Sequence, residues 1–204
     1  SWYVNGKPED FPSWPIFVRV FGADRCYVDN KPNSVMLLRW AAAKGRYVGS
    51  CYGFAVSSLL AFEYKNDWIN RFKIPDFTEL YSVLPDTTVK RAINEVLTYN
   101  QGAEFILKIA LESTKRPNTT LEELKYALLN NELDNMAMIF QDIVITPLPH
   151  ILSHAVTPYK VTEDPTDSTK YIIHIYDNNE PLLDDKKIVV NTSENSWEYP
   201  DNVW

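Results

Sequence analysis

Three side chains far apart in the sequence have the types needed for acyl transfer through sulfur: Cys51, His154 and Asp177. Cys51 lies in Gly49-Ser50-Cys51-Tyr52-Gly53-Phe54-Ala55 and leads directly into an apolar, proline-free stretch running to about Tyr64. That stretch predicts a helix with the cysteine at its start. Backbone N–H groups point outward there, and the macrodipole is positive, so both favour the thiolate. A free thiol titrates near ~8.5, and a helix N-terminus with a histidine partner brings it into the range of about 3.5–7.5. Gly49 and Gly53 are expected to allow a sharp turn into the helix and the close approach of a substrate backbone. The plainer alternative is a buried structural cysteine. A bridge to Cys26, the one other cysteine, would enclose 24 residues and remove the nucleophile.

His154 opens the stretch 154–161, which is rich in strand formers. A polar segment with Pro165 and two aspartates follows over 162–169, and 170–177 reads as a returning strand ending in Asp177. Symmetrical pairing of this hairpin sets His154 opposite Asp177, Val156 opposite Ile175 and Pro158 opposite Ile173. Opposed Cβ atoms lie about 4.5–5.5 Å apart, which suits a carboxylate holding an imidazole by one nitrogen while the other faces a nucleophile. A slip of one residue substitutes Asn178 for Asp177, with Asn179 a third choice. Pro158 marks a place where such a slip or a bulge arises. The run Asp177-Asn178-Asn179-Glu180-Pro181 is equally what a turn after a strand looks like.

The other histidines do not suggest a metal centre. His150 and His154 have the i, i+4 spacing of a zinc-binding helix. However, Pro147 and Pro149 oppose a helix there, and the glutamate of the HExxH pattern is missing. His174 falls in mid-strand, on the face opposite Asp177. Neither a metal nor an organic cofactor is expected.

The 204 residues that must position these groups suffice for one domain with a sizeable core. Apolar residues make up 45 % and charged residues 23 %, which excludes a disordered chain. The net charge of −7 argues against nucleic acid and anionic membranes as partners, and no apolar run reaches bilayer length. The chain starts at Ser1 and reads as a trimmed part of a larger polypeptide.

The first fifty residues, dense in proline and aromatics, are expected to form an extended, packed lead-in with one short helix over Val35–Ala43. Further helices are predicted from Cys51, after a cap at Asp86, over Ala103–Ser113, and from a capping box at Thr120 and Glu123. Beyond a composition shift near residue 134, short strands are predicted at Met136–Gln141, His154–Val161, Lys170–Asp177, Lys186–Asn191 and Trp197–Tyr199. Helices first and strands second predict an α+β domain with a mostly antiparallel sheet. It divides into a mainly helical part over 1–134 and a mainly β part over 135–204.

The segment 49–55, continued by Ser57-Ser58-Leu59-Leu60, resembles the nucleophile segment of papain-like cysteine peptidases, in particular a divergent bacterial and archaeal branch of extracellular and surface proteins. His154-Ala155-Val156-Thr157-Pro158-Tyr159 and Tyr176-Asp177-Asn178-Asn179-Glu180-Pro181 resemble the histidine strand and the following segment of that branch. Trp14, Phe17 and Phe21-Gly22 resemble its lead-in, and 186–191 with 197–199 its terminal hairpin. The resemblance implies a two-lobed fold with a helical lobe carrying the cysteine, a β lobe carrying the histidine, and a cleft between them. It further implies a secreted or surface cysteine peptidase acting on a peptide or protein. Its triad would be Cys51, His154 and Asp177 or Asn178.

Two positions depart from the pattern. Phe54 stands where a methionine is usual. Gly45 occupies the place, six residues before the cysteine, where these enzymes carry a glutamine that donates to the oxyanion. Loss of one such donor costs about 10²–10³ in rate. A catalytically silent binding or adhesion module is therefore the competing reading, with the aromatic residues lining a peptide or glycan groove. Within catalysis, a transglutaminase or amidase-type acyltransferase uses the same three groups.

Overall fold

The structure, a computed structural model, describes residues 7–47, 49–72, 87–132, 136–144 and 150–200. Among these residues it is an α+β fold with eight α-helices and two antiparallel sheets.

The lead-in is not the extended segment expected from its prolines and aromatics. It is helical, with α1 (Trp14–Phe21) and α2 (Ala23–Cys26) preceding a two-stranded ribbon, β1 (Tyr27–Val28) and β2 (Lys31–Pro32). Pro15 stands in the first turn of α1, where its missing N–H forfeits no helical hydrogen bond, so proline here starts a helix instead of breaking one. Trp14, Phe17 and Phe21 then share a face: Trp14 stacks on Phe17 with ring centroids 5.6 Å apart, and Phe17 and Phe21 meet at a tilt with centroids 4.5 Å apart. Helix α3 (Ser34–Gly45) extends past the expected Val35–Ala43 at both ends. It is capped by Asn33, whose Oδ1 accepts the Val35 N–H at 3.0 Å.

Helix α4 (Cys51–Glu63) begins at the expected residue. It is apolar around most of its circumference, the pattern of a helix packed on more than one side. Gly53, Ala55, Ser57 and Ala61 are its buried positions, and α6 (Thr87–Tyr99) and the main sheet pack against it. Gly53 therefore has a different role from the one expected. A Cβ there would lie 2.8 Å from the Ile93 carbonyl oxygen and 3.2 Å from Leu97 Cβ, so this glycine admits α6 and not a substrate. Helix α5 (Lys65–Phe72) was not anticipated. The proposed cap at Asp86 lies outside the described residues, but the stripe it was to precede is present, with Ala92, Ile93 and Leu97 buried.

Helix α7 (Ala103–Glu112) follows the expected span. Helix α8 (Pro117–Leu129) starts three residues ahead of Thr120. Pro117, at the first position of α8, sets that start. Glu123 pairs with Lys115 at 2.7 Å instead of closing a capping box.

Strands β3 (Met136–Val144), β4 (His150–Glu163), β5 (Lys170–Tyr176), β6 (Lys187–Asn191) and β7 (Ser196–Glu198) form an antiparallel sheet in chain order. The composition shift near residue 134 lies outside the described residues. The β4–β5 register differs from the symmetrical expectation. Thr157 pairs with Tyr176 and Pro158 with Ile175; beyond a bulge at residue 159, Lys160 pairs with His174 and Val161 with Ile173. Two features displace it. The connecting loop spans only 164–169, and its bends are set by Asp164 and Asp167 accepting the N–H groups of Thr166 and Thr169. The bulge next to Pro158 adds the extra residue.

Residues 154–158 of β4 are buried without a break, because the strand is covered from both sides. Val156 joins a core with Leu121 and Leu124 of α8, Ile173, Ile175, Ile188, Val190 and Tyr199. Its neighbour Thr157 turns to the other face and donates to the Ala55 carbonyl of α4 at 3.3 Å. The thiol-bearing helix is thus tied directly to the histidine-bearing strand.

Candidate active site

Cys51 is the first residue of α4, and the helical ladder opens with the Phe54 N–H on the Ser50 carbonyl at 3.0 Å. It is half-buried and free, as is Cys26 in its buried position. Burial pushes the Cys51 thiol up. A hydrogen bond with His154, the backbone N–H groups of Ala155 and Tyr52, and the charge of His154 outweigh that effect, and the thiol lies below its ordinary value.

His154 is 3 % exposed, and its Nε2 donates to Asp177 Oδ1 at 2.8 Å. With Nε2 taken, Nδ1 is the ring nitrogen left for Cys51. Burial pulls the imidazole down, but hydrogen bonds and charges from Asp177 and Cys51 push it up to about 9. Asp177, also 3 % exposed, has both oxygens engaged. Oδ1 also accepts the Asn179 N–H at 2.8 Å, and Oδ2 accepts the Tyr199 hydroxyl at 2.7 Å. Burial raises this carboxyl, and the His154 hydrogen bond and charge together with these two donors bring it below its usual range.

The structure therefore brings Cys51, His154 and Asp177 together. Asp177 is not opposite His154. Continuing the inner β4–β5 register would set Asn179 there, so the hydrogen bond runs diagonally beyond the last ladder pair, within reach of side chains on one face. Asn178 is 6 % exposed, and neither atom of its amide has a hydrogen-bond partner among the described residues. Its role as the orienting residue is thus not what the geometry displays. Asn179 contributes its backbone N–H.

His174 sits apart, with Nε2 3.1 Å from Thr162 Oγ1, and burial and Lys160 and Lys187 lower its pKa. His150 begins a strand and not a helix, and no group of three or more potential metal-ligating side chains occurs among the described residues. Nor is any helix among them long and apolar enough to cross a membrane.

Two groups escaped sequence reasoning. Tyr199 follows a three-residue strand, with only its aromatic-plus-hydroxyl character as a signal. Tyr47 shares a 2.6 Å hydrogen bond with Ser50, the residue before the thiol. Gly45, where the resemblance calls for a glutamine, is the exposed last residue of α3, with nothing within 4 Å of the place a Cβ would occupy. No protein-family model, curated protein or solved structure matches this chain.

Proposed function

We propose that the protein is a thiol-dependent amide hydrolase, a cysteine peptidase with a papain-like division into a helical part carrying Cys51 and a β part carrying His154. The carrying observation is a lowered thiol at the start of α4 hydrogen-bonded to an imidazole that a buried carboxylate holds by Nε2. The lowered thiol and the raised imidazole favour a thiolate–imidazolium pair, the resting state the chemistry needs.

The thiolate attacks the carbonyl carbon of a peptide, forming the C–S bond and an oxyanion. Collapse breaks the C–N bond, and the leaving amine takes the proton from His154. Water then gives a proton to His154 and adds to the thioester. Breaking the C–S bond releases the acid and restores the thiolate. Asp177 keeps the ring oriented and stabilises its charged form. A secreted or surface location within a larger polypeptide, and a peptide or protein substrate, belong to the same proposal. A transglutaminase differs only in its acceptor, an amine in place of water, and an amidase only in the amide it cleaves.

One observation favours a silent binding module as the second reading: the oxyanion glutamine position is Gly45, exposed and without a side chain. A fluorogenic peptide library and an active-site-directed alkylating probe separate the two. Stoichiometric labelling at Cys51 with peptide turnover, both lost in His154→Ala, supports the hydrolase. Slow, equal labelling of Cys26 and Cys51 with no turnover would falsify it.

A further inference from the structure

Helices α3 and α4 are started differently. Asn33 caps α3 by accepting the N–H two residues on. Ser50, an equally good cap by type, makes no side-chain hydrogen bond to α4. Its backbone lies at φ −112° and ψ 22°. That is outside the extended region that capping residues adopt. Its hydroxyl instead lies 2.6 Å from the Tyr47 hydroxyl, in a setting where Ser50 is 0 % and Tyr47 8 % exposed. The Tyr47 ring is fixed by Phe11, edge to face at 5.6 Å, and by Ala43 and Leu97. Bulk water does not compete for this hydrogen bond.

We infer that Tyr47 is a positioning residue: by holding the Ser50 hydroxyl it denies α4 a side-chain cap and leaves the first N–H groups of the helix to the anion that forms at Cys51. The N–H that a capping Ser50 would take, by analogy with Asn33 and Val35, is that of Tyr52. The same N–H is among the groups that hold the Cys51 thiol below its ordinary value. A cap and a thiolate at this helix start compete for one donor. The tether decides the competition in favour of sulfur, and during turnover in favour of the oxyanion. Its effect on turnover rests on the hydrolase reading; its effect on the thiol does not.

The test is the pH dependence of Cys51 alkylation by iodoacetamide, followed by peptide mass analysis, in the whole chain. The charged group that acts on the sulfur is His154, which is unchanged in the Tyr47 and Ser50 variants, and the sulfur in turn raises the neighbouring Tyr47 hydroxyl. Tyr47→Phe frees Ser50 to cap, and the alkylation profile should move up by roughly one pH unit, leaving about tenfold less thiolate on its acid side. Adding Ser50→Ala removes the competing cap, so Tyr47→Phe/Ser50→Ala should return to the wild-type profile. Ser50→Ala alone should not move it.

An unshifted Tyr47→Phe overturns the inference. So does a double variant as shifted as the single, which would make the Tyr47 hydroxyl itself the donor. If Tyr47→Phe does not fold, Ser50→Ala alone decides: an unshifted profile supports the inference, and an upward shift overturns it. A wild-type thiol that fails to respond to His154→Ala sinks the hydrolase reading instead, and the variant differences still judge Tyr47.

Discussion

The two cysteines occupy opposite ends of helices. Cys26 closes α2, among carbonyl groups, and is 0 % exposed; burial first and the Asp24 charge second push its thiol up. Cys51 opens α4, among N–H groups, half-buried beside an imidazole, and its thiol is lowered although burial opposes this. Burial acts in the same direction on both, so the difference comes from the hydrogen-bond donors and the charge around the sulfur. The direction of each thiol's shift in this chain follows from position and partners.

The largest effect that can break this contrast is loss of the imidazole. His154→Ala removes the hydrogen bond and the charge that outweigh burial. Cys51 should then label as slowly as Cys26, and peptide hydrolysis should fall by about 10⁶-fold. Competitive labelling of both cysteines in one sample measures the ratio directly. A ratio unaltered by the substitution would mean that the helix start alone activates the thiol.

Next comes the carboxylate. In Asp177→Ala the buried ring of His154 loses its Nε2 partner and the charge that helps raise it to about 9. Hydrolysis should drop by roughly 10²–10⁴-fold. Asp177→Asn keeps an acceptor oxygen but not the charge, and should lie between the wild type and the alanine variant. Equal rates for the two variants would show that orientation contributes nothing once the charge is gone. Asn178→Ala should leave the rate within a few-fold of wild type, because its amide makes no hydrogen bond among the described residues.

These expectations depend on pairings that were unevenly legible in the sequence. The start of α4 was readable because glycine, serine and an unbroken apolar run sit together within a few residues. The pairing of His154 with Asp177 was also readable, but by way of a register that is wrong. The shorter loop held by Asp164 and Asp167 and the bulge beside Pro158 shift the inner pairing by two residues. A shift of two keeps every side chain on its face, whereas a shift of one would have brought Asn178 to His154. Parity thus saved what alignment missed. The aromatic lead-in misled, since proline in a first turn resembles proline in a loop. Gly53 misled as well, because local spacing does not reveal that α6 needs the room. Tyr199 and Tyr47 were beyond reach: each acts through a hydroxyl placed by packing, and neither has a motif.

The pH window provides a smaller and more graded test. The reactive pair requires the thiolate and the protonated ring together. Hydrolysis should rise as Cys51 ionises, below the ordinary thiol range, and fall as His154 loses its proton near about 9. Beyond that point the fall is about tenfold per pH unit. The same shifts act on stability. The folded His154 binds its proton more tightly than the unfolded 6.5, so its contribution is complete below 6.5 and is lost as pH rises through about 9. Asp177 has the opposite sign: its contribution is present above the unfolded carboxylate value and is lost as pH falls through its lowered folded value. Cys26, with a raised thiol, should label only at the alkaline end. Superimposable profiles for the two cysteines would erase the contrast.

The finest test is Tyr199→Phe, which keeps the ring in the α8 core and deletes only the hydroxyl that donates to Asp177 Oδ2. A hydrogen bond to a charged group in such a setting is worth about 1.5–3 kcal/mol, so stability to urea should fall by that order. Oδ1 still receives His154 and the Asn179 N–H, so the ring stays oriented and the rate at neutral pH should fall by less than about tenfold. The diagnostic readout is the alkaline limb. With one donor gone, the still-ionised carboxylate is more basic, it holds the imidazolium more strongly, and the limb should move from near about 9 further to the alkaline side. A stability loss with an unmoved limb would reduce Tyr199 to a packing residue. A moved limb would extend the set of groups that distinguish Cys51 from Cys26 to a hydroxyl near the end of the last strand.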